Sequence, residues 1–329
     1  MPTAIRSFAK INLGLAIGVR RDDGFHELRT IYHTVALHDT IRIDVARGSG
    51  IEIRCRDPRV PTDETNTCHR IAERVLKSLK VRGKIVIQIE KSLPVQGGMG
   101  GASANAVSTM FGLERALKTE LSSAERLRIC SEVGSDLPLF LLGGAVFGCG
   151  RGEEVYPLPD IPELQCVVAT PDVGVSTPLA FRRWDEFVQI SGQTSSSKLT
   201  PGSQSDTISE FSRTCFEWLS GLSQSSGVPA NGGGDRAETL LLDLVRAGIE
   251  NDFERVVFPE YPELRDVKRV LEREGAKYAS LSGSGSTVYG LFMDQAEAVR
   301  AADAMCNAGI PATATRTLSR QHYWEQMFA

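Results

Sequence analysis

Four glycines lie within residues 97–101, and this cluster constrains the chain more than any other feature of the sequence. A β-branched run, residues 85–89, precedes it, and a segment with helical apolar spacing, residues 103–117, follows it. Glycine lets a ligand approach the backbone closely, and the first amides of a helix lack internal partners and attract anions. The order strand, glycine loop, helix therefore predicts a phosphate site. A tight turn without a ligand is the alternative.

Two common phosphate loops do not fit this stretch. The form G-x-x-x-x-G-K-[ST] needs a lysine beside its last glycine, and none is present. The form G-x-G-x-x-G, started at Gly98 and Gly100, would need a glycine where Ser103 stands. The phosphate loop is therefore of another kind.

Length and composition indicate a two-domain globular protein. At 329 residues the chain exceeds a single core of roughly 250 residues. A net charge of −4 without basic tracts argues against nucleic acid, and there is no run of about 18 apolar residues for a membrane span. Seven dispersed cysteines without a C-x-x-C pair indicate reduced thiols. No leader pattern is visible, so we expect a cytoplasmic protein.

Periodicity and turn signals predict a β-rich first half and an α/β second half. We expect strands at 3–20, 40–45, 50–54, 165–170, 278–281, 287–293 and 312–317. We expect helices at 67–80, 103–117, 124–133, 211–222, 239–247, 263–274 and 295–307, and another one starting near Thr177. Residues 191–207 and 225–235 are Ser/Gly-rich and predict mobile, dispensable surface loops.

Three motifs stand far apart but in a recognisable order: residues 9–13 (AKINL), the glycine loop, and residues 281–287 (LSGSGST). This trio resembles the GHMP small-molecule kinase superfamily, over nearly the whole chain apart from about 191–235. The resemblance implies an α+β fold of two domains. Residues 1–158 would form a ribosomal-protein-S5-domain-2-like domain, and residues 159–329 a ferredoxin-like α/β sandwich carrying the insertion near 191–235.

The segments SFAKINLGLAIGVRRDDGFHEL, LPVQGGMGGASANA, GSDLPLFLLGGAVFGCGRGEE and ASLSGSGSTVYGLF narrow the resemblance. They are similar to the branch of the superfamily that acts in the non-mevalonate route to isoprenoid precursors. That branch uses ATP to phosphorylate the 2-hydroxyl of a cytidine-diphosphate-linked methylerythritol. A sister kinase for mevalonate or homoserine, and a catalytically idle nucleotide-binding protein, are the competing interpretations.

The resemblance implies two catalytic residues. Asp136 matches the base that accepts the alcohol proton, and Lys10 matches the cation between the acceptor hydroxyl and the γ-phosphate. Asn12 would bind the substrate polyol. On the residues alone, the favoured interpretation of Asp136 is a turn or cap carboxylate before Pro138, and that of Lys10 is a solvated strand residue.

The nucleotide-binding set follows from the same resemblance. Asn66 matches a position that contacts adenine, with a helix cap as its alternative. Ser103 would hold ATP phosphates and lie near Mg²⁺, which ATP usually carries. The remaining residues of this set are Pro94, Gly97, Gly98, Gly100 and Gly101.

Substrate choice is expected at Phe25, His26, Thr177 and Phe181. In the resembled branch two rings flank the cytosine while the histidine contacts its hydrogen-bonding edge, and stacking contributes about 1–3 kcal/mol per base. A nucleotide-free acceptor would not need two rings, which separates this branch from its sisters. A loop phenylalanine in the core beside a surface histidine is the alternative. We expect a small-molecule substrate, no nucleic acid or membrane partner, and a monomer or weak homodimer.

The sequence departs from the family pattern around both sites. Phe25 stands where a tyrosine is usual, which keeps the ring and loses a hydroxyl. Gln96, Ala102 and Ala104 replace small or hydroxyl residues around the glycine loop. Ser103 then carries more of the phosphate and metal contact. Lys10 and Asp136 are both retained, which argues against the idle nucleotide-binding protein, because such a protein would not need the base.

Overall fold

The computed structural model describes residues 3–194, 203–220 and 248–328. Within these ranges the chain forms two β-sheets with helices packed on them, in the mixed α+β architecture that the sequence predicts. No helix of the described ranges is both long and apolar enough to cross a membrane. All seven cysteines are free.

The first unit is a six-stranded sheet. Its strands are β1 (Thr3–Arg20), β2 (His26–Ala46), β3 (Gly50–Cys55), β4 (Lys84–Glu90), β5 (Ala145–Cys149) and β6 (Glu154–Pro157). The order is β3-β4-β2-β5-β6, with β1 also paired to β2, and only β3 and β4 run parallel. The helices are α1 (Thr67–Leu79), α2 (Gly101–Leu117) and α3 (Ser123–Val133), and a short 3-10 helix covers Pro138–Leu141.

The second unit is a four-stranded antiparallel sheet in the order β10-β7-β9-β8. Its strands are β7 (Gln165–Ala169), β8 (Tyr278–Leu281), β9 (Val288–Phe292) and β10 (Ala312–Arg316). The described helices are α4 (Thr177–Thr194), α5 (Ser203–Ser220), α6 (Glu254–Glu260), α7 (Pro262–Arg273), α8 (Gln295–Asn307) and α9 (Arg320–Met327).

Strand β1 joins the two units because it contributes to the packing of both. Ile11 and Leu13 are fully buried in a cluster that also contains Leu291 of β9. The Tyr289 hydroxyl donates to the Asn12 carbonyl (2.7 Å), which ties the second sheet to the β1 backbone. The two units are therefore fixed against each other through β1, where residues 9–13 lie.

The last helix returns to the first unit. Tyr323 of α9 is buried against Phe8 of β1, with ring centroids 5.7 Å apart, and its hydroxyl donates to the Phe140 carbonyl (2.7 Å). Trp324 Nε1 donates to the Leu142 carbonyl (3.1 Å). The segment after β10 thus closes the core beneath the 3-10 helix, although it follows the second sheet in sequence.

Two expected elements have the predicted type but start earlier in the chain than expected. The strand expected at 40–45 is the end of β2, which begins at His26 and runs 21 residues. Its first half carries polar side chains that face the site, so it lacks the apolar alternation of an ordinary strand. The helix expected at 211–222 begins at Ser203, so residues 191–194 and 203–207 are helical rather than loops.

The packing of helix α5 argues against the expectation that the 191–235 segment is dispensable, which stays a prediction. Ile208, Phe211 and Cys215 are buried in the cluster that contains β1. Phe211 packs directly over Gly14 of β1, where a Cβ would lie 3.1 Å from its ring. Deleting the segment would remove these buried side chains. The loop expected at 225–235 and the helix expected at 239–247 lie outside the described residues.

Candidate active site

The glycine loop connects β4 to α2 and touches the second unit. Gly98 adopts the left-handed conformation (φ +77°), and a Cβ there would overlap the Ser282 carbonyl oxygen. The Gly98 carbonyl accepts from Ser282 Oγ (3.0 Å), and the Thr287 amide donates to the Gly97 carbonyl (3.2 Å). The two glycine-containing segments of the sequence are therefore in direct backbone contact, which only glycine at position 98 permits.

Helix α2 presents its amino terminus at this loop. It begins at Gly101 after Gly100, whose φ is +67° and whose missing side chain leaves the helix without a side-chain cap. The first amides of such a helix are open to a ligand, and the helix dipole favours an anion there. Ser103 lies in this first turn, and its hydroxyl bonds to no other residue of the described ranges.

The side chain of Lys10, in β1, contacts the glycine loop. Its side chain is 3% exposed, and Nζ donates to the Gly98 carbonyl (2.6 Å) and to Asn12 Oδ1 (2.7 Å). Asp136 Oδ2 lies 3.9 Å from the same nitrogen. Burial lowers the pKa of Lys10, and the charge of Asp136 opposes that shift. A buried cation is thus held between the loop and a carboxylate.

Asn12 is oriented by a relay of hydrogen bonds. Its Nδ2 donates to Thr30 Oγ1 (2.8 Å), and the Thr30 hydroxyl donates to the Gly14 carbonyl (2.7 Å). Because the hydroxyl proton is used by Gly14, the Thr30 oxygen can only accept from Asn12. The amide oxygen of Asn12 must therefore face Lys10.

Asp136 precedes the 3-10 helix and points to the same place. Its side chain is 37% exposed, and Oδ1 accepts from the Tyr32 hydroxyl (3.3 Å). Burial, together with the nearby charge of Asp136, raises the pKa of Tyr32 well above its usual value, so the phenol stays a donor. Asp136 thus combines solvent or ligand access with a fixed orientation.

A large cavity of 690 Å³ opens beside these groups. Nine of the predicted residues line it: Gly98 and Gly100 of the glycine loop, and Lys10, Asn12, Phe25, His26, Asp136, Thr177 and Phe181. They come from β1, the β1–β2 turn, β2, the glycine loop, the 3-10 region and α4, so both units contribute. The structure brings together residues that lie up to 171 positions apart in sequence.

The far end of the large cavity is aromatic. Phe25 is 51% exposed, with the Arg151 guanidinium 4.9 Å from its ring centroid. Phe181 stacks on His26 rather than lying free (ring centroids 4.9 Å apart, interplanar angle 10°). Thr177 is exposed, and its hydroxyl bonds to Ser284 Oγ (2.7 Å). One face of Phe181 is therefore already covered, and Phe25 is the more open ring.

A small cavity of 380 Å³ lies on the other side of the glycine loop. Seven predicted residues line it: Asn66, Pro94, Gly97, Gly98, Gly100, Gly101 and Ser103. Asn66 caps α1 through Oδ1, which accepts from the Cys68 amide (2.8 Å), and its Nδ2 donates to the Pro61 carbonyl (2.6 Å). The helix cap is thus present, whereas the adenine contact stays a prediction. Gly98 and Gly100 line both cavities, so the two meet at the loop.

Sequence reasoning missed several residues of the site. Tyr32, Arg151 and Asp185 line the large cavity, and Asp185 pairs with His26. Glu254 supports the second glycine segment by accepting from the Leu281 amide (2.9 Å). Asp185 follows Phe181 by four residues, so helical spacing could have revealed it. The local sequence around Tyr32, Arg151 and Glu254 does not indicate that they belong to the site.

The described residues contain no group of three or more His, Cys, Asp or Glu side chains that could hold a metal ion. A divalent cation bound here would have to take most of its ligands from water and from a phosphate ligand, as Mg²⁺ usually does. Ser103 supplies a hydroxyl in the first turn of α2, and it lines the small cavity. The residues present are compatible with a cation carried in by a nucleotide.

Comparisons with known proteins agree with this geometry. Residues 66–144 match the GHMP kinases N terminal domain, and residues 237–311 match the GHMP kinases C terminal family. A 4-diphosphocytidyl-2-C-methyl-D-erythritol kinase from Solibacter usitatus is 36% identical over 297 residues, covering 90% of this chain and 83% of that protein.

Solved structures show the same relationship. A crystal structure of 4-(cytidine 5'-diphospho)-2C-methyl-D-erythritol kinase superposes with a TM-score of 0.69 at 27% identity, covering 95% of this chain and 98% of the other. A homoserine kinase from Cytophaga hutchinsonii shares the fold alone, with a TM-score of 0.65 at 18% identity over 97% and 96% of the two chains. The chain therefore belongs to the 4-diphosphocytidyl-2-C-methyl-D-erythritol kinase family of the GHMP kinases.

Proposed function

We propose that this chain transfers the γ-phosphoryl group of ATP to the 2-hydroxyl of 4-diphosphocytidyl-2-C-methyl-D-erythritol, in the non-mevalonate route to isoprenoid precursors. One observation carries the proposal: Lys10 bonds the Gly98 carbonyl and lies 3.9 Å from Asp136 where the two cavities meet. The names of the family's members supply the substrate.

ATP is proposed to occupy the small cavity. Its phosphates would lie against the glycine loop and the amino terminus of α2, where backbone amides and the helix dipole favour anions. Asn66 and Pro94 would border the adenosine. Ser103 would contact the phosphates or the Mg²⁺ that accompanies ATP, and that ion would neutralise phosphate charge when bound.

The cytidine-diphosphate-linked acceptor is proposed to occupy the large cavity. Its base would lie at the aromatic end, against Phe25 and near Phe181 and His26, with Thr177 at the border. Asn12 would bind the polyol close to Lys10. This arrangement directs the 2-hydroxyl towards the point where the cavities meet.

The chemistry then follows from the two charged residues. The 2-hydroxyl oxygen bonds to the γ-phosphorus, the bond to the bridging oxygen breaks, and ADP leaves with that electron pair. Asp136 accepts the hydroxyl proton as general base. Lys10 stabilises the negative charge that develops on the transferred phosphoryl group and on the attacking and bridging oxygens. Its side chain is buried, and charge interactions are strong where water is excluded.

We also propose that the domains divide near residue 158, and that the protein acts in the cytoplasm as a monomer or weak homodimer. Both sheets fit the proposed division, since β6 ends at Pro157 and β7 begins at Gln165. Sedimentation velocity across a range of protein concentrations tests the oligomeric state.

The decisive experiment measures ADP release with Mg-ATP and 4-diphosphocytidyl-2-C-methyl-D-erythritol, in parallel with mevalonate and homoserine. We expect turnover with the cytidyl substrate only, and a loss of roughly 10²-fold or more in kcat for Asp136→Asn because a positioned base is removed. Preferred turnover of mevalonate or homoserine would overturn the substrate. ATP binding without turnover of any of the three would support a catalytically idle protein.

A further inference from the structure

Helix α4 holds the imidazole of His26 on two sides. The Phe181 ring lies nearly parallel to it, with centroids 4.9 Å apart and an interplanar angle of 10°. The Asp185 carboxylate oxygen Oδ1 lies 2.7 Å from His26 Nε2. Residues four apart share one face of a helix. A single face of α4 therefore fixes both the plane of the ring and its rotation within that plane.

This arrangement leaves one ring nitrogen for a ligand. The His26 side chain is 6% exposed, Asp185 is 31% exposed, and both line the large cavity. Within residues 3–194, 203–220 and 248–328, His26 Nδ1 has no hydrogen-bond partner. A carboxylate only accepts hydrogen bonds, so Nε2 carries the hydrogen, and Nδ1 of the neutral ring is then an acceptor.

We infer that Asp185 is a positioning residue that holds His26 in the tautomer protonated on Nε2, so that Nδ1 accepts a hydrogen bond from the exocyclic amino group of cytosine. Uracil carries a carbonyl oxygen at the same ring position, where cytosine carries the amino donor. An acceptor at Nδ1 therefore favours cytidine over uridine. The inference rests on the proposed function and adds to it the residue that sets the choice of base.

The bond also crosses between units. His26 begins β2 of the first sheet, whereas Asp185 belongs to α4, which follows β7 of the second. The pair thus closes the aromatic end of the large cavity at the point where the base would lie. A carboxylate used only for stability would need no cavity beside it, and Asp185 lines one.

The test compares two neighbouring carboxylates on α4. Asp185→Asn removes the charge with little change in volume, and Glu186→Gln is the matched control, because Glu186 is 57% exposed and pairs with Arg183 (2.9 Å) rather than His26. For Asp185→Asn we expect KM for the cytidyl substrate to rise about tenfold, with kcat and the KM for ATP unchanged. Glu186→Gln should leave all three constants unchanged.

The preference for cytidine over uridine separates the two roles, because it would not change if Asp185 contributed only to stability. The ratio of kcat/KM for the cytidyl substrate over its uridyl counterpart should fall about tenfold in Asp185→Asn. In a His26→Ala background the same change should add no further loss, because Asp185 acts through His26. An unchanged ratio, an equal loss with both bases, or additive losses would overturn the inference.

The outcomes separate the inference from the proposed function. A wild-type protein that does not phosphorylate the cytidyl substrate contradicts the proposed function, and calorimetric binding of CDP against UDP then still tests Asp185. A wild type that turns over while Asp185→Asn keeps its base preference contradicts only the inference. If Asp185→Asn unfolds, Asp185→Glu retains the carboxylate and should keep a preference for cytidine that Asp185→Ala loses.

Discussion

The two cavities that meet at the glycine loop are built in different ways. The small cavity takes all its lining from residues 59–105, one continuous part of the chain, and most of these residues lie in loops. The large cavity draws side chains from β1, β2, the 3-10 region, α4 and residues 253–284. Phosphate binding needs amides and a helix terminus, which a short segment provides. Acceptor recognition needs several different side chains, which only distant segments can bring together.

The largest expected effect lies at the boundary between the cavities, at Lys10. Lys10→Met removes the cation that bonds Gly98 and faces Asp136, and kcat should fall by about 10²–10³ because charge stabilisation in the transition state is lost. The KM for ATP should change much less. Steady-state kinetics with both substrates varied checks this.

The control for that variant is an exposed lysine at the start of β4. Lys84 of β4 is 48% exposed and pairs with Glu52 (3.3 Å), so Lys84→Met should leave kcat unchanged. If Lys10→Met changed only the KM for ATP, Lys10 would belong to the small cavity alone. The boundary between the cavities would then not be where the reaction takes place.

A smaller effect is expected for the loop backbone. Gly98→Ala forces a side chain into a left-handed position against the Ser282 carbonyl, and should lower the free energy of unfolding by about 1–3 kcal/mol. Gly101 is the control for stability, since a Cβ there meets its nearest atoms at 3.5 Å. Chemical denaturation of both variants checks this. Equal stability of Gly98→Ala and wild type would show that the two glycine segments need not touch.

The smallest effect is expected in the pH dependence of kcat, at the pH where activity falls on the alkaline side. Burial lowers the pKa of Lys10, so kcat should fall as pH rises through a value below 10.5, where the donor loses its proton. The contribution of Lys10 to the free energy of unfolding should rise over the same window, because the folded state releases the proton first. A pH–rate profile and denaturation at matched pH check both directions.

Arginine at this position separates the titration of Lys10 from other alkaline effects. A guanidinium stays charged throughout the range, so the residual activity of Lys10→Arg should not show that alkaline fall. If the activity of Lys10→Arg still fell at the same alkaline pH, a group other than Lys10 would be responsible for the fall.

Much of the fold could be predicted because local pattern and packing agree. The helix expected at 67–80 is α1, the one expected at 263–274 is α7, and the strand expected at 278–281 is β8. The predicted α+β class and GHMP kinase architecture are confirmed by the structure and by the family comparisons. The two helices have one apolar face each, so periodicity is informative there.

The sequence failed where polar residues face the site or where packing overrides composition. The first half of β2 carries His26, Thr30 and Tyr32 and looks unlike a strand, because its side chains serve the cavity and its neighbours. The start of α5, residues 203–207, lies where a Ser/Gly-rich loop was expected, and the helix buries Ile208 and Phe211 in the cluster that contains β1. Tertiary contact therefore extends the helix into a segment whose composition disfavours it.

By itself, the sequence determined that a glycine loop leads into a helix, and it determined the types of side chain in the site. Open amides and a helix dipole at such a helix start favour an anion, and both features are local. Only the tertiary structure decided that Gly98 touches Ser282, that Tyr32 bonds Asp136, and that Asp185 holds His26. Those contacts join residues more than 100 positions apart, and their geometry depends on how two sheets pack around β1.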